Sequence, residues 1–240
     1  LYGRAFRAPT FTESYVRAPR LKGYPGLKPE NEDSYELAFD YHANENLYFT
    51  LNVFHYKMSD KIQAIPIPGT TYTEYRNVGF WEGKGVEFEA RWKLRHNASV
   101  LLNYAYVDNE EDHGNTSGDP LSNALDQLHG SQVHDAGNYP QQMIYLRTDW
   151  MFAPQLFFDA QVKWVIDRER PGGDNRPLIA DYSTVDLTWR YKALRDQRWH
   201  LAVGVRNLLN EDIRYPSRPF ILYDSPQAGR NWFVEGSYRF

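Results

Sequence analysis

The 240-residue sequence contains no cysteine. Disulfides, cysteine-ligated metals and thiol nucleophiles are therefore excluded together. It has no run of 18 apolar residues, which excludes a transmembrane helix. A transmembrane barrel stays open, because its strands alternate and average out as polar. Excess basic charge is missing too: the net charge is −4 and the pI is near 6.0, which argues against a nucleic-acid partner. There is no Gly-x-Ser-x-Gly elbow, no His-Glu-x-x-His and no phosphate-cradling glycine loop. The expectation is a protein that is not an enzyme and carries no cofactor. The sequence begins at Leu1 without Met or a signal segment, so it is expected to be a piece of a longer precursor.

Aromatic residues, by contrast, are plentiful at 16%, with 18 Tyr and 7 Trp, and they favour β structure. Period-two alternation runs along most of the chain. In the last two strands Trp199, Leu201, Val203 and Val205 share one face, as do Trp232, Val234, Tyr238 and Phe240. The cleanest case is Val86, Phe88, Ala90, Trp92 and Leu94 against Glu87, Glu89, Arg91 and Lys93. Comparable patterns end at Arg7 and cover residues 34–42, 47–56, 98–106, 144–152, 156–166 and 184–191. Ten strands are predicted, joined by connections that alternate between long and short. Residues 8–31, 66–80, 109–138, 167–180 and 209–228 read as long loops.

The apolar-face aromatics Tyr41, Trp92, Trp150, Trp189, Tyr191, Trp199 and Phe240 all sit beside short turns or at the C-terminus. An interfacial girdle sorts aromatics in this way, whereas a soluble sandwich core has no reason to. The fold class predicted is all-β, an antiparallel transmembrane β-barrel. Ten strands alone would leave two open edges in lipid, so the chain is expected to be part of a larger barrel.

Arg206-Asn207-Leu208-Leu209-Asn210, then Tyr215, Pro226, Gly229-Arg230 and a last strand ending Tyr238-Arg239-Phe240, resemble the end of TonB-dependent outer-membrane receptors. Phe6-Arg7-Ala8-Pro9 and Tyr24-Pro25-Gly26-Leu27-Lys28-Pro29-Glu30 resemble a pair of boxes flanking an external loop in the same family. The resemblance implies a siderophore-receptor-like, 22-stranded plugged barrel. Residues 1–240 would be its C-terminal portion, with the plug, the N-terminal strands and the TonB box outside this chain. It further implies residence in the outer membrane of a Gram-negative bacterium, among lipid and lipopolysaccharide. The implied activity is plug-gated import of a scarce nutrient, most readily a ferric siderophore, driven by the inner-membrane TonB complex through the missing N-terminal part. Haem receptors carry a histidine between such boxes; none lies between Arg7 and Glu30, which argues against haem.

The first long loop carries Arg7, Arg17, Arg20, Lys22 and Lys28 against Glu13 and Glu30, interleaved with Tyr15 and Tyr24. A cationic, aromatic surface suits an anionic ring-bearing ligand such as a ferric catecholate. The plainer alternative is that these cations bind lipopolysaccharide phosphates or solvate the loop. A second ligand-binding set is Arg168, Arg170 and Arg176 with Arg214, Tyr215, Arg218 and Tyr223, although both loops are near neutral and internal ion pairs would use these charges. Residues 108–135 hold seven acids, three histidines and no Lys or Arg. His129 and His134 with Asp126 and Asp135 could hold a divalent ion, but their spacing matches no defined motif, and a flexible acidic loop is the preferred reading.

The polar faces pair opposite charges: Glu87 and Glu89 with Arg91 and Lys93, Arg147 with Asp149, Asp159 with Lys163, Asp186 with Arg190, and Glu235 with Arg239. Charges of both signs on nearly every strand suit a wall contacting a polar plug better than a selective pore. Rival functions are a passive porin-like channel and a surface adhesin, and cobalamin, sugar and peptide stay open as ligands.

Overall fold

The computed structural model describes residues 1–67, 69–95, 97–112, 133–135, 139–170, 176–192, 199–217 and 221–238. Its elements in chain order are β1 (Tyr2–Arg7), α1 (Phe11–Tyr15), β2 (Arg17–Ala18), β3 (Leu21–Lys22), β4 (Glu30–Asn44) and β5 (Leu47–Ser59). They continue with β6 (Ile62–Pro66), β7 (Thr73–Asn77), β8 (Phe80–Arg95), β9 (Ala98–Asp112), β10 (Val133–Asp135) and β11 (Pro140–Ala153). The last are β12 (Leu156–Arg168), β13 (Tyr182–Lys192), β14 (Trp199–Arg206), β15 (Arg214–Tyr215), β16 (Ser225–Pro226) and β17 (Asn231–Tyr238).

Ten strands form the principal sheet in the order β1-β4-β5-β8-β9-β11-β12-β13-β14-β17, with β10 pairing β9. This is the number and sequence of strands that the alternation predicts. The pairings of β1 with β4 and of the strands from β9 through β11, β12, β13 and β14 to β17 are antiparallel, as in β11 with β12, where Asp149 faces Asp159, and β14 with β17, where Gly204 faces Phe233. Two-residue turns at 45–46 and 154–155 close one end of the sheet, while the long connections leave from the other.

The long connections are more ordered than their prolines and glycines suggest. Thr10 and Glu13 form a capping box: the Glu13 N–H donates to the Thr10 hydroxyl, and the Glu13 carboxylate accepts from the Thr10 N–H at 2.7 Å. That exchange starts the single-turn α1 where a loop is expected. A second sheet, β2-β3-β7-β6, ties residues 17–22 to residues 62–77. Asn77 closes the join by accepting from the Lys28 N–H at 2.8 Å and donating to the Lys28 carbonyl at 2.9 Å. In the acidic segment β9 continues to Asp112, and His134 and Asp135 pair by their backbones with Glu111 and Glu110.

The chain divides into two compact units. The first, residues 1–37, 53–85 and 108–136, contains the second sheet and α1. The second, residues 38–52, 86–107 and 137–240, contains β11 to β17.

Burial distinguishes this sheet from a soluble domain. Among the described residues the buried hydrophobic side chains are only Ile62, Val78, Val165, Ile179, Tyr182, Val205 and Ile213. The apolar face is instead open: Tyr41 is 64% exposed, Trp150 51%, Trp199 52% and Trp232 68%. Its rings meet across strands, Tyr41 to Phe49 at 6.4 Å, Phe49 to Phe88 at 6.0 Å and Phe158 to Trp189 at 5.1 Å. A face of this kind is stable against an apolar medium and unfavourable against water. Phe240, expected in the aromatic belt, lies outside the described residues.

Gly204 on the polar face is covered by the ring of its cross-strand neighbour Phe233. A β-carbon at position 204 would sit 2.6 Å from that ring and 2.7 Å from the Leu187 carbonyl. Gly204→Val is therefore expected to destabilise β14–β17 by about 1–3 kcal/mol through overpacking. Thermal unfolding of the detergent-solubilised full-length protein, followed by near-ultraviolet circular dichroism, checks this as a lowered midpoint.

Candidate functional site

Three groups of charged side chains are organised by these elements. The first stands at the end of β1. The Arg7 guanidinium donates to Glu30 at 2.5 Å and to both oxygens of Glu13 at 3.0 Å, joining β1, α1 and β4. Glu30 is buried and also accepts from the Ile62 N–H at 2.7 Å. Arg7 holds the Glu13 carboxyl down to about 2. Of the cations expected on this loop, Arg7 is thus committed to shaping it.

The second sheet presents the others. Lys22 lies 4.0 Å from the centre of the Tyr72 ring, and the Arg76 guanidinium lies 3.8 Å from that of Tyr24 while pairing with Glu74 at 2.6 Å. Arg17, Arg20 and Lys28 are exposed, and among the described residues none has a carboxylate within ion-pair distance. The Arg20 carbonyl is fixed by the Thr73 N–H and hydroxyl, each at 2.9 Å, so the tip carrying these cations is tethered. Tyr15 is 55% exposed and meets Phe11 at 5.1 Å. Tyr72 and Arg76 are absent from the expected set, because their places depend on the parallel pairing of β3 with β7, which local sequence does not signal.

The second group is built of arginines turned inward on the chain itself. Arg168 is buried and donates to the Ala180 carbonyl at 2.7 Å and the Arg214 carbonyl at 2.6 Å, between the rings of Tyr182 and Tyr215. Arg170 grips Asp224 with two hydrogen bonds of 2.8 and 2.5 Å. Arg176 donates to Asp224 at 3.3 Å, to the Ser217 hydroxyl and carbonyl at 2.9 and 2.7 Å, and to the Ile221 carbonyl at 3.0 Å. Chiefly through Arg170, the Asp224 carboxyl is held down to about 2. Internal pairing is what the near-neutral charge of these loops predicts. Asp224 is absent from the expected set, although it is the lone acid among residues 213–230. Arg214 pairs loosely with the exposed Asp212 at 3.1 Å, and Tyr215 is 45% exposed. Arg218 lies outside the described residues.

The Arg206–Asn210 segment turns the chain from β14 into this last loop. Asn207 takes a positive φ of 50° and exchanges two 2.9 Å hydrogen bonds with the backbone of Glu211. Its N–H reaches Asp186 at 2.7 Å, and Asn210 accepts from the Arg230 N–H at 3.0 Å. Those bonds explain Asn at both positions, since Asn combines tolerance of positive φ with a side-chain amide.

The third group lies on the polar face. Arg147 donates to Asp159 at 2.8 Å and Asp149 at 2.9 Å, and Arg190 stands 3.6 Å from both carboxylates. Glu89 pairs with Arg91 at 2.6 Å, and Glu87 accepts from Asn52 at 3.4 Å. Two expected pairs change partner: Asp159 takes Arg147 in place of Lys163, and Asp186 takes the Asn207 N–H in place of Arg190. The cause is register, because Asp159 faces Asp149 directly and Arg147 sits two residues along the same face. Glu235 faces Ala202, and its expected partner Arg239 lies outside the described residues. The side chains of Asp126, His129, His134 and Asp135 also lie outside them.

A family model described as TonB dependent receptor-like, beta-barrel, matches residues 2–208. The iron-regulated outer membrane virulence protein of Vibrio cholerae is 24% identical over 95% of this chain and 35% of its own length. The ferric enterobactin receptor PfeA of Pseudomonas aeruginosa, solved as a variant, aligns over 100% of this chain and 37% of its own, at 17% identity and a TM-score of 0.73. The ferric-catecholate import receptor Fiu of K12 E. coli aligns over 100% of this chain and 32% of its own, at 14% identity and a TM-score of 0.72. The chain spans about a third of the length of the curated relatives it matches. It belongs to the TonB-dependent receptor β-barrel family and resides in the outer membrane, with its apolar sheet face as the lipid-facing wall.

Asp224 gains stability for its loop above the ordinary carboxylate range, and that gain is lost as pH falls from about 4 towards 2. Asp224→Asn is expected to remove it at neutral pH as well, because the neutral amide forms no ion pair with Arg170 or Arg176. Limited proteolysis of the 209–228 loop in intact receptor checks this, with cleavage faster by about tenfold in the variant.

Proposed function

We propose that residues 1–240 form the C-terminal portion of the barrel of a receptor that imports a ferric siderophore across the outer membrane. The long connections face outward and capture the chelate, as external loops do in barrels of this kind. The polar face contacts a plug supplied by the part of the receptor outside this chain, through Glu87, Glu89, Arg91, Arg147, Asp149, Asp186, Arg190, Glu235 and Arg239. An inner-membrane TonB complex acts on that part to release the ligand. The process is binding and gated transport, with no bond made or broken in the ligand.

The observation that carries the ligand class is the surface of the second sheet. Arg17 and Arg20 are exposed without a carboxylate partner among the described residues, and Lys22 is held on the Tyr72 ring. Ferric catecholates are anionic and ring-bearing, so Coulomb attraction and cation–π contact act on them together. Arg7, Arg168, Arg170 and Arg176 assist by fixing the loops that carry the contacts, and Tyr15, Tyr24, Arg214, Tyr215 and Arg218 complete the capturing surface. The iron-regulated relative and the ferric enterobactin and ferric-catecholate receptors support the same reading.

Equilibrium binding of the full-length receptor to ferric catecholates, ferric hydroxamates, haem and cobalamin tests it. Submicromolar binding of one ferric catecholate is expected, weakened at least tenfold by Arg17→Glu, Arg20→Glu and Lys22→Glu together. Absence of binding across the panel, with steady conductance in planar bilayers, would replace this reading with a passive channel.

A further inference from the structure

Part of the last long connection lies back over the polar face. Val165 and Tyr182 face each other across β12 and β13, on the side that also carries Asp159 and Gln161, and both are buried. Ile213, from the connection, completes their cluster. Beyond it the chain closes on itself. Arg214 and Tyr215 pair with Pro226 and Ser225, and the Gln227 N–H donates to the Ile213 carbonyl at 2.9 Å. The Ser217 hydroxyl donates to the Tyr223 carbonyl at 2.8 Å. This hairpin is a sheet of its own, separate from the principal one. Side chains hold it in place: Arg168 on the Arg214 carbonyl, and Arg170 and Arg176 on Asp224.

We propose that the 213–217 and 221–227 segments form a strap over the polar face, latched by the Asp224 carboxylate in the Arg170–Arg176 pair, and that an anionic chelate opens the strap by taking that carboxylate's place. This inference rests on the proposed import reading and adds an autoinhibitory contact to it.

The chemistry of the latch favours exchange. Two nitrogens of Arg170 meet the two oxygens of Asp224, and such a fork accepts any pair of anionic oxygens spaced like a carboxylate's. The adjacent oxygens of a catecholate are such a pair. With Asp224 in place the Arg170 and Arg176 side chains are 8% and 19% exposed, too little for a second anion to enter beside it. Opening without exchange gives up the charge-assisted bonds of a largely buried pair, whereas opening with exchange replaces them. The latch is therefore firm against water and labile to a competing anion. Because β15 and β16 pair within the strap, its shape survives release and it moves as a unit.

The test uses full-length protein in lipid nanodiscs, spin-labelled at Leu178→Cys and Leu222→Cys, two exposed positions on either side of the latch. Electron–electron double resonance is expected to show one distance at rest and, with saturating ferric enterobactin, a population lengthened by about 5 Å or more. Asp224→Asn should show the longer distance without the chelate and bind ferric enterobactin about threefold to tenfold more tightly, because the internal competitor is gone. Asp224→Glu should keep the resting distance. If Asp224→Asn does not assemble, Arg176→Gln weakens the latch from the other side and should lengthen the resting distance in the same way. A purely structural Asp224 predicts weaker binding in Asp224→Asn, and that result would overturn the proposal. An unchanged resting distance in the variant, or chelate bound to the unsubstituted protein with no change in distance, would overturn it too. If ferric enterobactin binds none of these proteins, the import reading falls and the exchange step with it, while the resting distance of Asp224→Asn still decides the latch.

Discussion

Backbone hydrogen bonding across one antiparallel sheet is the interaction on which the rest depends. In lipid, a peptide group that finds no partner costs several kcal/mol, so strands can cross only if each is paired on both sides. The unbroken order from β1 to β17 meets that condition for the eight strands between its two edges. Once pairing is fixed, period two sends alternate side chains to opposite faces, and the chemistry of each face follows. Trp150 and Phe158 go to the medium while Asp149 and Asp159 go to the polar side.

The two faces then take separate tasks. The apolar face needs area and gains little from close interior packing, which is why its rings are about half exposed and the buried hydrophobic set is small. The polar face keeps its charges affordable by pairing them across strands, with Arg147 bridging two strands' carboxylates. The long connections use the same device away from the membrane. Arg7 with Glu13 and Glu30, and Arg170 and Arg176 with Asp224, convert chains rich in proline and glycine into shaped supports. Ligand capture in this account needs such rigidity, because cations on a tethered sheet lose less freedom on binding than cations on a free loop.

The strand framework was legible because its signal is local: Val86 to Leu94 announces a strand without reference to anything distant. The end of β1 and the turn beside Trp150 are legible for the same reason. The capping box at Thr10 and Glu13 is equally local, yet Pro9 and Pro19 on either side make the stretch read as loop. Nothing in residues 17–22 signals a partner at 62–77, since strands of two residues carry no periodicity. Arg168 shows the deeper difficulty. Its acceptors are the carbonyls of Ala180 and Arg214, and backbone acceptors leave no mark in a sequence. Charge could be read from the residues, but whether a cation was free for a ligand depended on contacts between distant loops.

The sidedness of the sheet is the central claim, and the missing cysteines make it directly measurable. Single cysteines introduced along Arg147–Ala153 and Leu156–Val162 of the full-length receptor in bilayers can carry spin labels, whose relaxation by oxygen and by a water-soluble nickel chelate reports lipid and water contact. Strict alternation is expected, with labels at 148, 150, 152, 158, 160 and 162 relaxed by oxygen and those at 147, 149, 157, 159 and 161 protected from it. Uniform access along both strands, or alternation in the opposite phase, would contradict it.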